Sequence, residues 1–493
     1  MTDGTLPHVF DRLCGRLAER VAIRETDSAL SFRELLDWSQ GLTRILEPAI
    51  RQTGMPVALL LPNSGAFASA FFAIARAGAV VAPLDPRYRS QELSYYLADL
   101  EPAAVVTAPD LVPGVLEVLP SLERAPAILE LGPERDYRIV HQGRGPRPVA
   151  VSGVADPLLL QYTSGSTGRP KKVVRSHTAV LAELEALRSM FGTSPTDRFL
   201  GVAPFSHING LVRTMLSAMY AGATLYPVDG FRRREILELV KRERLTFWGG
   251  VPQMFAILSA TTPRGQVDLS SLRILFSSSA PLTPADNRRF QERYGQVIRQ
   301  LYGSTETGTI SFNTQPDPST NPASVGLPLP GVEVEVVGAH GQPVADDTEG
   351  ELVIKSPFAA SGYLHNAEAS RLSFPDGRYF SGDLGRKDKG GFLFITGRKK
   401  LLLNRGGFKV NPYEVEEAIA EHPQVREVLV FGAPGPHGDD LICCAVVPAG
   451  DCTPNDIIQH CRERIADYKI PTRIEFRESL AKSSTGKVLR AQV

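Results

Sequence analysis

The sequence predicts an α/β fold: a large N-terminal domain of two βαβ-type sheets plus a small β-barrel-like subdomain, followed by a small C-terminal α+β domain. Three observations carry this expectation. Over the first 300 residues short apolar runs alternate with helical patterns of ten or more residues, the mark of βαβ units around buried parallel sheet. From about residue 313 short strands separated by Gly, Pro and Asp replace that alternation. Beyond residue 400 a compact tail carries its own helix and strand patterns.

Taken in order, VALLLP (57–62) reads as a strand, GAFASAFFAIARAG (65–78) as a helix and VVAPLDP (80–86) as the next strand. SQELSYYLADL (90–100) and AAVVTAP (103–109) repeat the unit, and RILFSSSAPLTPADNRRFQERYG (273–295) gives strand, loop and helix again. GRGPRP (143–148) reads as a linker. GVEVEVV, GELVIKS and GGFLFIT are the short strands of the subdomain, and the basic segment GRKKLLLNRGG (397–407) follows them. Asn411-Pro412-Tyr413-Glu414 then supplies an N-cap, a proline at the first helical position and an acid in the first turn. The tail is expected to hold helices over 412–421 and 455–467 and strands near 426–431 and 441–447. A boundary near Lys400 divides the chain into 1–398 and 399–493.

Bulk properties remove several classes. At 493 residues, about three domain-equivalents are expected. Lys+Arg and Asp+Glu both total 54, so there is no electrostatic reason to expect nucleic acid or an anionic membrane surface as partner. No apolar run approaches the roughly 18 residues of a membrane span, and MTDGTLPHVFDRL lacks the basic and apolar regions of a signal peptide. Cys14, Cys443, Cys444, Cys452 and Cys461 have no zinc spacing and make a poor disulfide framework. A cytoplasmic protein is expected.

TSGSTG (163–168) places six small or hydroxylated residues in a row, followed by Lys171 and Lys172. Such a run cannot form a core, because it offers no apolar packing and carries a backbone entropy penalty. It suits a loop that presents N–H and O–H donors to an anion, with a solvated linker as the alternative. It is not a Walker A motif, which needs G-x-x-x-x-G-K-[ST]. Three further segments accompany it. LYGSTETG (301–308) sets Tyr302, Thr305 and Glu306 after an apolar strand, YFSGDLGRKDKGGFLFITGRKK (379–400) sets Asp383 fifteen residues before Arg398, and LAKSSTGKVLR (480–490) holds Lys487. Alone, Glu306 is a cap or surface acid, Asp383 a turn-former and Lys487 part of a terminal tail.

In this order and spacing the four segments resemble the adenylate-forming superfamily of acyl-CoA synthetases, peptide-synthetase adenylation domains and luciferases, over nearly the whole chain. The resemblance implies an ATP-dependent carboxylic acid:CoA ligase that forms an acyl-adenylate and then a thioester, with ATP, Mg²⁺ and coenzyme A as cofactors or co-substrates. By resemblance, Thr163, Ser164, Gly165, Ser166, Thr167 and Gly168 close over the β- and γ-phosphates of ATP, and Lys171 neutralises the leaving pyrophosphate. Tyr302 and Gly303 meet adenine, Thr305 a phosphate oxygen, and Glu306 holds the Mg²⁺. Asp383 accepts the ribose hydroxyls, Arg398 supports the same ribose, and Ser279, Ala280 and Pro281 line the adenine and acyl pocket. Lys487 matches the catalytic lysine that bridges carboxylate and α-phosphate, two anions that otherwise repel. The C-terminal domain is expected to be mobile, turning about a hinge at Lys400 to present Gly406, Gly407 and Phe408 to a thiol tunnel. His207 lies at the acyl-pocket edge, as a catalytic group or as a satisfied wall residue.

Within the family, the missing Asp for an α-ammonium argues against amino-acid substrates, and the region 397–417 favours CoA over a carrier-protein phosphopantetheine, which stays open. A nucleotide-binding protein without turnover is a third reading, opposed by intact Glu306, Asp383, Arg398 and Lys487. The chain also departs from its family. Lys172 stands where glycine usually follows the loop lysine, Ser278 and Ser279 where glycine or alanine is usual, and Asn404 where aryl-CoA ligases often have lysine. An inward Lys172 would crowd the triphosphate and leave mainly the thioester half-reaction from a preformed adenylate, whereas an outward one leaves adenylation intact. Arg213 is expected on a helix surface rather than against a polar acyl tail, and Gly249-Gly250 hints at room for a ring.

Overall fold

The computed structural model describes residues 4–50, 52–132, 135–144, 150–163, 170–260, 267–405, 408–434, 440–482 and 488–490. The alternation read from the sequence forms two large sheets. In the first, Pro56–Leu60 and Val80–Pro83 pair in parallel at the centre, flanked in parallel by Ala104–Thr107 and Pro157–Thr163. Lys171–Ser176 then pairs antiparallel with Pro157–Thr163. The second sheet sets Thr224–Pro227, Arg198–Gly201, Phe247–Gly250, Ile274–Ser277 and Arg299–Ser304 side by side in parallel. Gly308–Phe312 turns back antiparallel against the last of these.

One apolar core joins the two sheets. The helix Gly65–Arg76 is buried along almost its whole length, which explains its Ala- and Phe-rich, all-round apolar sequence. Ser64 caps it by accepting from Phe67 N at 3.1 Å. Phe191, Phe247, Phe276 and Phe312 pack as stacked and edge-to-face rings with centroids 4.9–6.0 Å apart, holding the helix His177–Phe191 to the second sheet.

The β subdomain is a four-stranded antiparallel sheet of Glu333–Val337, Gly350–Lys355, Tyr379–Lys387 and Leu393–Arg398. A single 3₁₀ turn, Lys399–Leu401, carries Lys400 on to the strand Leu403–Arg405. The tail has its own core, with Val410, Val415, Ile419, Val430 and Cys444 packed between the helix Pro412–Ala420 and the strands Val425–Pro434 and Asp440–Pro448. Asn411 caps that helix as expected, accepting from Tyr413 N at 3.1 Å. All five cysteines are free thiols. Among the described residues no helix is long and apolar enough to cross a membrane.

One expectation needs correction. Gly143 and Arg144 are not linker but the end of the edge strand Tyr137–Arg144, paired antiparallel with Ala125–Leu131. Gly143 adopts φ +76° there, a conformation glycine reaches without strain, so a residue that reads as a breaker sits inside a ladder. The rest of that segment lies outside the described residues.

Candidate functional site

The hairpin Tyr379–Lys387/Leu393–Arg398 places Asp383 and Arg398 directly opposite each other as cross-strand partners. Fifteen residues apart in sequence, they meet because the turn between them sets that register. Arg398 Nε donates to Asp383 Oδ1 at 2.6 Å, and Tyr302, reaching over from the second sheet, donates its hydroxyl to Asp383 Oδ2 at 2.7 Å. Asp383 is buried, at 5% exposure. Burial, then the Asp383 charge, raises the Tyr302 phenol well above its usual range, so it stays a donor. Burial alone would lower Arg398, but Asp383 more than offsets this and its guanidinium stays charged. Each carboxylate oxygen keeps a free lone pair, room for two further hydroxyl donors such as a vicinal diol.

A second cluster forms where three strands converge. Tyr363 donates its hydroxyl to Glu306 Oε1 at 3.0 Å, and Lys171 Nζ lies 4.4 Å from the centroid of the Tyr363 ring. Burial, with the Glu306 charge next, pushes the Tyr363 phenol up. Glu306 sits with half-buried Thr305 in the turn between Arg299–Ser304 and Gly308–Phe312, and Lys171 opens the strand after TSGSTG. Tyr363, which ties the two, carries no motif of its own and was not predicted. Its pairing with Val173 is what the sequence cannot show.

Side chains alternate faces along a strand, so Lys172 points away from Lys171. Its Nζ lies 3.1 Å from Asp99 Oδ2 and donates to Asp99 O at 3.0 Å, beside Tyr162, whose hydroxyl donates to the same carboxylate at 2.8 Å. The unusual lysine therefore ties the strand to the end of the helix Ser90–Leu100 on the outward face. Lys172→Gly is expected to leave ATP–pyrophosphate exchange unchanged and to lower stability by about 1 kcal/mol, the upper worth of a partly exposed ion pair. A large rise in exchange would restore the crowding reading.

His207 stands at the entrance to the helical segment Ile208–Gly210, with Nε2 4.0 Å from Asp85 Oδ2. Asp85 is 1% exposed and is gripped by Arg87 through Nε and Nη2, both at 2.9 Å. Burial depresses the imidazole below its ordinary value despite Asp85, so His207 is neutral at pH 7. A depressed histidine contributes stability that is present above about pH 6.5 and lost as the pH falls. The pH profile of kcat/KM is expected to stay flat down to about pH 6.5 and to lose its acid limb in His207→Ala.

Ser279 follows the strand Ile274–Ser277 with φ +76°, a left-handed conformation that costs a non-glycine residue about 1–2 kcal/mol. A glycine would adopt it freely, so the serine noted in the sequence stands there at a conformational cost. Ala280 is half-buried and Pro281 exposed beside it.

Arg213 contradicts its expectation. It lies in a π-helical turn, Leu211–Leu216, at 1% exposure, with Nε donating to Thr309 Oγ1 at 2.9 Å. The apolar residues around it read as a surface helix only because its partners come from distant segments. A Cβ added at Gly303 would stand 2.3 Å from Arg213 Nη2, so glycine there admits the guanidinium. Thr163 ends its strand half-buried. Ser164, Gly165, Ser166, Thr167, Gly168, Gly406, Gly407 and Lys487, together with the Phe408 side chain, lie outside the described residues.

Residues 10–364 match the family model described as AMP-binding enzyme, and residues 414–487 match the AMP-binding enzyme C-terminal domain. The chain is 29% identical to an oxalate–CoA ligase of Arabidopsis thaliana, covering 99% of this chain and 96% of that one. It is 30% identical to a sulfoacetate–CoA ligase of Cupriavidus necator, covering 100% and 99%. Among solved structures, ATP-bound MatB from Rhodopseudomonas palustris superposes with a TM-score of 0.87 at 26% identity, covering 99% and 98%. Spanning both parts of the chain, these matches agree with the two-sheet core and separate tail, and the chain belongs to the AMP-binding enzyme family.

Proposed function

We propose that the chain is an AMP-forming carboxylic acid:CoA ligase that makes an acyl-adenylate and then an acyl-CoA thioester. The observation that carries this is Asp383, buried and held by Tyr302 on one oxygen and Arg398 on the other, with lone pairs left for a ribose diol. Tyr302 then flanks the adenine, and Thr305, Lys171 and the segment 164–168 face the phosphates. Glu306 is suited to Mg²⁺, because Tyr363 occupies one carboxylate oxygen and leaves the other. A single carboxylate plus substrate phosphates is the usual Mg²⁺ arrangement, and among the described residues no larger group of metal ligands occurs. When bound, the ion would neutralise phosphate charge.

The chemistry is attack of a carboxylate oxygen on the α-phosphorus with pyrophosphate leaving, accelerated by positioning rather than by a protein nucleophile. Lys487 carries the charge stabilisation of that step. The tail then turns about Lys400, and the thiol of CoA reaches the adenylate past Gly406, Gly407 and Phe408. The outward Lys172 favours the complete two-step reaction over thioester formation alone. A cytoplasmic location, where ATP and CoA are held, fits this reading.

Lys487→Ala is expected to abolish acid-dependent pyrophosphate release while leaving thioester formation from supplied acyl-adenylate within about tenfold, since each residue acts in one half-reaction. Equal loss of both halves would remove the assignment. CoA-dependent AMP release, set against carrier-protein loading followed by intact mass, decides the acceptor.

A further inference from the structure

Three ionised side chains, of Arg175, Glu183 and Arg213, meet beneath the hairpin Arg299–Ser304/Gly308–Phe312. Glu183, fully buried, accepts from Thr309 N at 2.8 Å, from Thr309 Oγ1 at 2.7 Å and from Arg175 Nη2 at 2.6 Å. Arg213 is tied to it through Thr309, whose Oγ1 accepts from Arg213 Nε at 2.9 Å. Burial would raise its carboxyl, but Arg175 and then Arg213 hold it below the usual range. Two guanidinium groups and one carboxylate leave a net positive charge in the interior. Arg213 Nη1 reaches only Ser278 Oγ, at 3.5 Å, and Nη2 has no hydrogen-bond partner among the described residues. A guanidinium is seldom buried without an anion to receive its fork of donors. Burial pushes Arg213 down to about 10, so it remains charged at pH 7.

The position says what that anion belongs to. Tyr302 turns its hydroxyl to Asp383, and a side chain at the next residue, Gly303, would run into Arg213, so the guanidinium abuts the strand end beside the expected ribose contact. It is six residues beyond His207 on the same helical segment. Asn209, between them, donates to Gly250 O at 3.1 Å and leaves its Oδ1 unpartnered among the described residues. An unpartnered acceptor and an unpartnered cationic donor are therefore buried along the segment beyond His207.

Resting on the ligase reading above, we infer that the acid activated by this chain carries a second anionic group, a carboxylate or sulfonate, and that Arg213 with Ser278 receives it. Ser278, where a small residue is usual, supplies a hydroxyl donor beside the fork. Such a site rejects a neutral analogue strongly, because the analogue leaves the buried cation unpaired.

The test uses matched pairs: malonate, succinate, glutarate and terephthalate, each against its monomethyl ester, with ATP and CoA, scored for AMP and acyl-CoA. Wild-type protein is expected to favour at least one diacid over its monoester by tenfold or more in kcat/KM. Arg213→Met is expected to collapse that ratio toward one without raising the KM for ATP, and Arg213→Lys to restore part of it. The wild-type ratio needs no variant, so loss of folding in Arg213→Met does not remove the test. Neutral acids turned over with no diacid preference would overturn the inference and leave the ligase reading standing. A raised KM for ATP with the ratio intact would assign Arg213 to the nucleotide and also overturn it. CoA-dependent AMP from none of the acids would bring down both readings.

Discussion

Asp383→Ala is expected to lower kcat/KM for ATP in pyrophosphate exchange by about a hundredfold. Two losses combine. The ribose loses its acceptor, a charge-assisted contact worth about 1.5–3 kcal/mol. Tyr302 and Arg398 lose the carboxylate that orients them, through bonds of 2.7 and 2.6 Å. Breaking a fully buried ion pair costs about 3–5 kcal/mol, but the Arg398 side chain is 47% exposed, so water takes over part of its pairing and the smaller penalty applies. Asp383→Asn keeps an acceptor but offers Arg398 no charge, and is expected to fall between the two. The effect belongs to the first half-reaction and to ATP affinity, so exchange rates measured across ATP concentration resolve it. A loss below about threefold, under 1 kcal/mol, would sever Asp383 from the nucleotide.

Glu183→Ala is expected to cost about 3–5 kcal/mol of stability, as much as truncating a large buried core side chain. Glu183 and Arg175 are at 0% and 1% exposure, so no solvent compensates the two guanidinium groups left behind. Thr309 N is orphaned as well. Glu183→Gln keeps a carbonyl for Thr309 and is expected to lose less. Removing Arg213 together with Glu183 is expected to cost less than the sum of the two single changes, because it also removes an unpaired charge. Denaturant midpoints at unchanged m-value measure all three. A Glu183→Ala midpoint equal to wild type would show that the interior accommodates the net charge unaided.

The sequence made the architecture legible where periodicity is strong. The helix over 90–100 and the strand–helix pair over 57–78 fell within two residues at each end, because buried parallel strands and an all-apolar helix leave continuous signals. Asp383 and Arg398 were legible as a pair because both sit in one hairpin. Arg213, Glu183 and Tyr363 were not. Arg213 and Glu183 meet Thr309, 96 and 126 residues on, and Tyr363 meets Glu306, 57 residues back, and no local pattern separates a buried arginine from an exposed one on a short helical stretch. Lys172 shows the same limit at shorter range. Its departure from the family was visible, but the face it points to was decided by the pairing of Tyr162 with Lys172 and the nearness of Asp99.

That pairing also bears on how the segment between its strands can vary. Thr163 and Lys171 are cross-strand partners, so the two ends of the intervening stretch are held a ladder's width apart whatever its own conformation. With the stem fixed, doubling the length of the connection costs only about 0.6 kcal/mol in closure entropy. Thermodynamics therefore leaves the length nearly free, and reach alone selects it. Insertions of one or two glycines there are expected to be silent in unfolding and audible only in the handling of ATP.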